Sequence, residues 1–137
     1  MNRTDFQRLS ELRLEESKSL LAAGFPDGAY YLAGYAIECA LKACIAKRTQ
    51  EHDFPEKGSH RWFTHGLEEL FAFAELKVEL ELSLRANRGM NAKWATVKNW
   101  SEESRYETGK TNRDAEDLLA AIEDQPGGLL PWLRQRW

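Results

Sequence analysis

The stretch PDGAYYLAGYAIECALKACIAK, residues 26–47, decides the fold. It is the longest uninterrupted helical pattern in the chain and the least polar. Ala29, Ala33, Ala36, Ala40 and Ala43 recur at alternating steps of four and three, which lines them up as one stripe along a helix. Tyr30, Gly34, Ile37, Leu41 and Ile45 widen the apolar surface. Tyr31, Tyr35, Glu38 and Lys42 share the same spacing and, at about 100° per residue, lie roughly opposite the alanines. A helix that is apolar nearly all round is buried, and small side chains let a neighbour come close. The stretch therefore reads as a central helix with neighbours on most sides and one polar seam, along which Glu38 and Lys42 pair at i,i+4.

Upstream, Thr4 is placed to cap a first helix with Asp5 in its first turn. Phe6, Leu9, Leu12, Leu20 and Leu21 supply its apolar positions through Ala23, and Gly24 stops it. The turn Phe25-Pro26-Asp27-Gly28 is short, so the first two helices should be antiparallel neighbours. Downstream, residues 52–61 (HDFPEKGSHR) are polar with Pro55 and Gly58, a loop in which His52 and His60 are solvated. Thr64 should cap a third helix to about Ala74, bearing Leu67, Leu70, Phe71 and Phe73. Leu76, Val78, Leu80, Leu82 and Leu84 then alternate with polar residues like a strand. A lone strand has no partner here, and Glu, Leu, Lys and Ala favour helix, so the segment reads as helix from about Val78. Thr111 or Asn112 caps a further helix with Ala115, Leu118, Leu119 and Ile122 on one face, ended by Gln125-Pro-Gly-Gly128. The tail LLPWLRQRW, residues 129–137, is amphipathic. Its Trp132, Leu133 and Trp137 suit either a partner surface or a flap over the core.

Composition narrows the function. A chain of 137 residues, 42% hydrophobic and 30% charged, matches one ordinary globular domain over 1–137. The net charge of −3 gives no global electrostatic case for nucleic-acid binding, so any such case rests on a local patch. The two cysteines, Cys39 and Cys44, point to different faces of the central helix and read as buried thiols of a reducing compartment. They form no zinc pattern with the three histidines. No signal peptide or membrane-length apolar run is present, so a cytoplasmic location is expected. There is no GxSxG, Walker loop, HExxH or paired-cysteine motif, and neither a metal nor a cofactor is implied.

Three constellations carry chemistry. Residues 85–100 bring Arg85, Arg88, Lys93 and Lys98 with no intervening acid, and Trp94 and Trp100 are interleaved among them. Cations neutralise phosphates and aromatic faces stack on bases. The alternative is tryptophans in the core and a solvated basic face. The seam Tyr31/Tyr35/Glu38/Lys42 could line a pocket with Glu38 as a base, or it is a structural ion pair between helices. His65, beside a helix start, could be a general acid or base, or a structural histidine.

The order of motifs is more telling than any one of them. AGYAIECALKA at residues 33–43, the His65-Gly66-Leu67 helix start, WATVKNWSEESRY ending in Arg105-Tyr106, and GLLPWLRQRW follow in turn. This arrangement resembles the HEPN domain, named for nucleotide binding in higher eukaryotes and prokaryotes, over nearly the whole chain. The resemblance implies an all-α, up-and-down bundle of roughly four to five helices plus a short C-terminal helix. It also implies a homodimer, or pairing with a partner such as a small nucleotidyltransferase, and members that bind nucleotide or RNA or act as RNases in toxin–antitoxin or defence systems. The RNase members resemble one another in an Arg and a following His with four to six residues between them. Here Arg105 is followed by Tyr-Glu-Thr-Gly-Lys-Thr, without that histidine, and the Arg61/His65 and Arg48/His52 pairs are too close together and lie before the expected helix.

Three functions follow as expectations. The first is a nucleotide- or RNA-binding module using Arg85, Arg88, Lys93, Lys98 and Arg105 as cations, with Trp94 and Tyr106 as stacking faces. The second is a divergent metal-independent RNase toxin using Arg105 with His65 or Glu38. The third is a non-catalytic assembly domain. Convergence of Arg105, Tyr106, Glu38 and His65 on one accessible site would favour the first two; a buried ion pair at Arg105 would favour the third.

Overall fold

The computed structural model of the chain describes residues 1–51 and 64–137. The expected loop at 52–61, with His52 and His60, lies outside them. The first helix, α1 (Arg3–Ala22), is capped by Asn2 rather than Thr4. The Asn2 side chain accepts the Asp5 amide at 2.9 Å, and the Asp5 carboxylate accepts the Asn2 amide at 2.9 Å. This reciprocal box satisfies two helix-end donors at once, and it leaves Thr4 inside the helix. Gly24 ends the turn at φ +89°, a conformation that costs glycine little.

The second helix, α2 (Pro26–Glu51), is the central element. Ser10 Oγ donates to the Ala36 carbonyl at 2.7 Å and Ser17 Oγ donates to the Ala29 carbonyl at 2.6 Å, both buried. As the serines ascend α1 their partners descend α2, so the two helices are antiparallel. The alanine carbonyls accept these hydroxyls from the α1 side, which is why the small-residue stripe is needed there. Ala29, Ala33, Ala36, Ala40 and Ala43 have no exposed surface, and neither do Ile37 and Leu41. Cys39 and Cys44 are buried free thiols. Burial pushes Cys39 up to about 12 and Cys44 up to about 11. Neither is a thiolate at neutral pH, so neither serves as a nucleophile.

Beyond the second helix come α3 (Leu67–Phe73), α4 (Lys77–Ala86) and α5 (Arg88–Lys98). Gly66, not Thr64, stands at the start of α3. Thr64 Oγ1 instead accepts the Gly66 amide at 3.2 Å and donates to Glu69 Oε2 at 3.1 Å, bracing the approach to the helix. Glu75, in the left-handed region at φ 55°, breaks α3 from α4. The alternating leucine segment is helix, as its composition implied. Leu76 and Leu80, four apart, face the core, whereas Val78 and Leu82 are exposed. Asn87 caps α5 through the Met90 amide at 3.1 Å.

A 3-10 turn (Glu102–Tyr106), α6 (Asn112–Glu123) and α7 (Leu129–Arg134) complete the chain. Thr111 and Asp114 form a second reciprocal cap. Ala115, Leu118, Leu119 and Ile122 are buried as their spacing required. In the tail, Leu129, Leu130 and Leu133 have no exposed surface. Arg134 grips Glu11 of α1 with two bonds of 2.7 Å. The tail is therefore the flap that closes the core. The result is the expected all-α bundle. Among the described residues it has more helices than expected, because Asn87 separates α4 from α5 and so divides the leucine-rich segment from the basic one.

Candidate functional site

Glu38 has no exposed surface. Its Oε1 is bonded to His65 Nδ1 and lies 3.6 Å from Lys42 Nζ. The i,i+4 pair expected on the seam is thus present, and His65 from the segment ahead of α3 joins it. The other ring nitrogen, His65 Nε2, lies 3.1 Å from Glu102 Oε2 on the 3-10 turn. One imidazole therefore sits between a buried carboxylate and a half-exposed one. Burial pushes the Glu38 carboxyl up, while Lys42 and His65 pull it down and Glu102 pushes it up again.

Local chemistry places the 3-10 turn over this seam. Trp100 lies directly on the α2 backbone at Gly34, where an added Cβ would come within 2.2 Å of the indole. Only glycine fits there. The same indole stacks on Tyr31 with ring centres 6.1 Å apart, and Tyr31 stacks on Tyr35 at 6.0 Å. Ser101 accepts the Glu103 amide at 3.1 Å and starts the turn. After the turn, the Asp27 carboxylate at the start of α2 accepts the Lys110 amide at 2.8 Å and the Gly109 amide at 3.4 Å. Both ends of the turn are therefore fastened to α2.

Residues i and i+3 eclipse in a 3-10 helix. Glu102 and Arg105 consequently share one edge of the turn. The exposed Arg105 guanidinium lies 5.8 Å from the Tyr31 ring centre and 5.0 Å from that of Tyr106. Among the described residues it has no carboxylate within 4.0 Å. Tyr106 is 78% exposed, with a ring face available. On the far side, Arg13 of α1 lies 5.9 Å from the Tyr35 ring centre. Burial, with Cys39 and Glu38 nearby, pushes the Tyr35 hydroxyl up to about 12, so it stays a neutral donor.

The other expected site residues lie elsewhere. Trp94 is buried with its ring edge-on to Phe71 at 5.0 Å, so it is a core side chain rather than a stacking face. The indole gains more from burial than a solvated basic face could offer it. Trp100 is likewise in the core. Arg85, Arg88 and Lys98 are exposed on α4 and α5, and none has an ion pair or ring contact with the 3-10 turn. Lys93 lies 4.0 Å from Asp124. Sequence reasoning missed Glu102, Arg13 and the Gly34–Trp100 contact. Their partners are far apart along the chain, and no local spacing announces them.

Three buried polar atoms with no hydrogen-bond partner cluster on the facing elements: Glu38 Oε2, Trp100 Nε1 and Ser104 Oγ. Left without a partner, such an atom costs roughly 1–3 kcal/mol. Among the described residues no His, Cys, Asp or Glu cluster suits a metal ion, and no helix is long and apolar enough to cross a membrane.

The chain is an all-α bundle with a buried carboxylate on its central helix, an imidazole bonded to it and, on the 3-10 turn that meets the imidazole, an exposed guanidinium. The HEPN domain model matches residues 5–124, and the chain belongs to that family. Membership suggests a nucleotide- or RNA-related module. No curated protein and no solved structure matches the chain.

Proposed function

We propose that this chain is a nucleotide- or RNA-binding module that takes phosphate at Arg105 and a base on the open face of Tyr106. It works in the cytoplasm as a homodimer or with a partner chain such as a small nucleotidyltransferase, in a toxin–antitoxin or defence setting. The observation that supports this most is the Arg105 guanidinium, exposed and set over two tyrosine rings, with no carboxylate within 4.0 Å among the described residues. Cations left unpaired on an aromatic face suit phosphate and base together. Lys110, 4.4 Å from the Tyr30 ring centre, and Arg13 flank the site, each paired with an acid, Glu107 at 3.8 Å and Glu16 at 2.6 Å. The test is titration of a labelled single-stranded RNA, with Arg105→Ala expected to weaken binding about tenfold.

A second reading, metal-independent RNA cleavage, is favoured by the Glu38–His65 contact. A buried carboxylate that fixes one imidazole nitrogen orients the other for proton transfer. His65 would then do the work of the histidine missing after Arg105, and Arg105 would stabilise charge on the phosphorus oxygens. Incubation with RNA in chelator tests this reading. Cleavage lost in both His65→Ala and Arg105→Ala supports it, and intact RNA with the wild-type protein contradicts it.

A further inference from the structure

We propose that Glu102 is a built-in stand-in for phosphate: its carboxylate occupies the phosphate subsite between His65 and Arg105, and a bound phosphate group displaces it. The inference rests on the proposed phosphate-binding role of this face and specifies how that face is kept closed.

Glu102 Oε2 lies 3.1 Å from His65 Nε2, the imidazole nitrogen that points away from the core. The opposite nitrogen is held by Glu38, which has no exposed surface and cannot leave. Glu102 is different. Its side chain is 37% exposed and sits on a single 3-10 turn, so it can swing into solvent. Eclipsing of i and i+3 puts it on the same edge as Arg105. Even so, no Glu102–Arg105 ion pair closes within 4.0 Å. The carboxylate turns to the imidazole, while the guanidinium lies over the Tyr106 ring and feels Glu102 only at longer range. An anionic tetrahedral group with several acceptor oxygens could bridge both donors at once, as one carboxylate here does not. Charged groups facing His65 are Glu38 and Lys42 from α2 and Glu102 from the turn. Removing Glu102 from Nε2 frees that nitrogen, and the cations left near the turn are Lys42 and Arg105.

The experiment measures anisotropy of a fluorescein-labelled, mixed-sequence single-stranded RNA with full-length wild type, Glu102→Gln, Arg105→Ala and Glu103→Gln. Glu103, exposed on the same turn, controls for loss of one negative charge. Glu102→Gln is expected to tighten binding roughly threefold to tenfold, and Glu103→Gln less than twofold. Equal gains from both variants, or no gain from Glu102→Gln, would overturn the proposal. Loss of RNA binding in Arg105→Ala alongside either of those results would leave the phosphate-binding role standing; unchanged binding in Arg105→Ala would remove that role itself. A second readout needs no variant. Inorganic phosphate titrated into wild type, followed by the imidazole nitrogen resonances, should shift His65 Nε2 more than Nδ1. Equal or absent shifts would count against displacement.

Discussion

The carboxylate of Glu38, wholly buried in the central helix, is bonded to Nδ1 of His65, a residue 27 positions further along the chain. That contact ties the helix seam to the 3-10 turn, because the other face of the same imidazole meets Glu102. A lone i,i+4 pair on a helix surface is worth only a few tenths of a kcal/mol. A buried carboxylate with one unpartnered oxygen is a different matter, and its cost should be visible in folding.

Burial holds the Glu38 carboxyl above its ordinary value of 4.5, against the pull of Lys42 and His65. A carboxyl raised in the folded state favours folding most below its unfolded pKa, and that contribution fades as pH climbs through the folded pKa. Glu38→Gln titrates nowhere in this window. The stability of Glu38→Gln relative to wild type should therefore improve from about pH 4 towards neutrality, measured by urea unfolding at each pH. A difference that moves the opposite way would mean the Lys42 and His65 contacts outweigh burial.

Gly34→Ala should cost about 1–3 kcal/mol, as over-packing does in tight cores. The new methyl would meet the Trp100 indole at 2.2 Å, so either the helix or the aromatic turn must shift. Thermal unfolding reads the loss of stability. A weaker RNA affinity in the same variant would show that the shift reaches Arg105.

Trp94 and Tyr106 separate core from surface. Trp94→Ala should lose about 3–5 kcal/mol of stability, since the ring is buried against Phe71. Tyr106→Ala should leave stability within about 0.5 kcal/mol and weaken RNA binding by roughly 1–3 kcal/mol, the worth of one stacked base. Chemical denaturation and RNA titration on the same two variants provide the comparison.

The Ser10 and Ser17 hydroxyls test the α1–α2 contact. Each donates from α1 to a buried carbonyl of α2. Alanine at either position should cost about 1 kcal/mol, read from the urea midpoint, because the carbonyl keeps its helical partner.

Much of the fold was legible because it rests on short-range rules. The alanine stripe fixed α2 as the central helix, Gly24 and Pro26 marked the hairpin, and Ala115, Leu118, Leu119 and Ile122 marked the inner face of α6. Local competition misled at helix starts. Asn2 with Asp5 makes two cap bonds, which outbids Thr4. Composition misled at Trp94, where a basic neighbourhood hid a core ring. The seam was legible at Glu38 and Lys42, four residues apart on one face. Its completion by His65 and Glu102 was not, because those contacts join segments separated by 27 and 37 residues. The Arg105-Tyr106 pair stood out by family resemblance, and its setting over Tyr31 became visible only in three dimensions.

The most direct measurement is the salt dependence of single-stranded RNA affinity for wild type and Arg105→Ala across roughly tenfold in ionic strength. Each phosphate contact on a single strand contributes about 0.7 to the slope of log affinity against log salt. Removing Arg105 should weaken binding at low salt and flatten the slope by about that amount. An Arg105→Ala protein with wild-type affinity and wild-type slope would contradict the assignment of this face to phosphate.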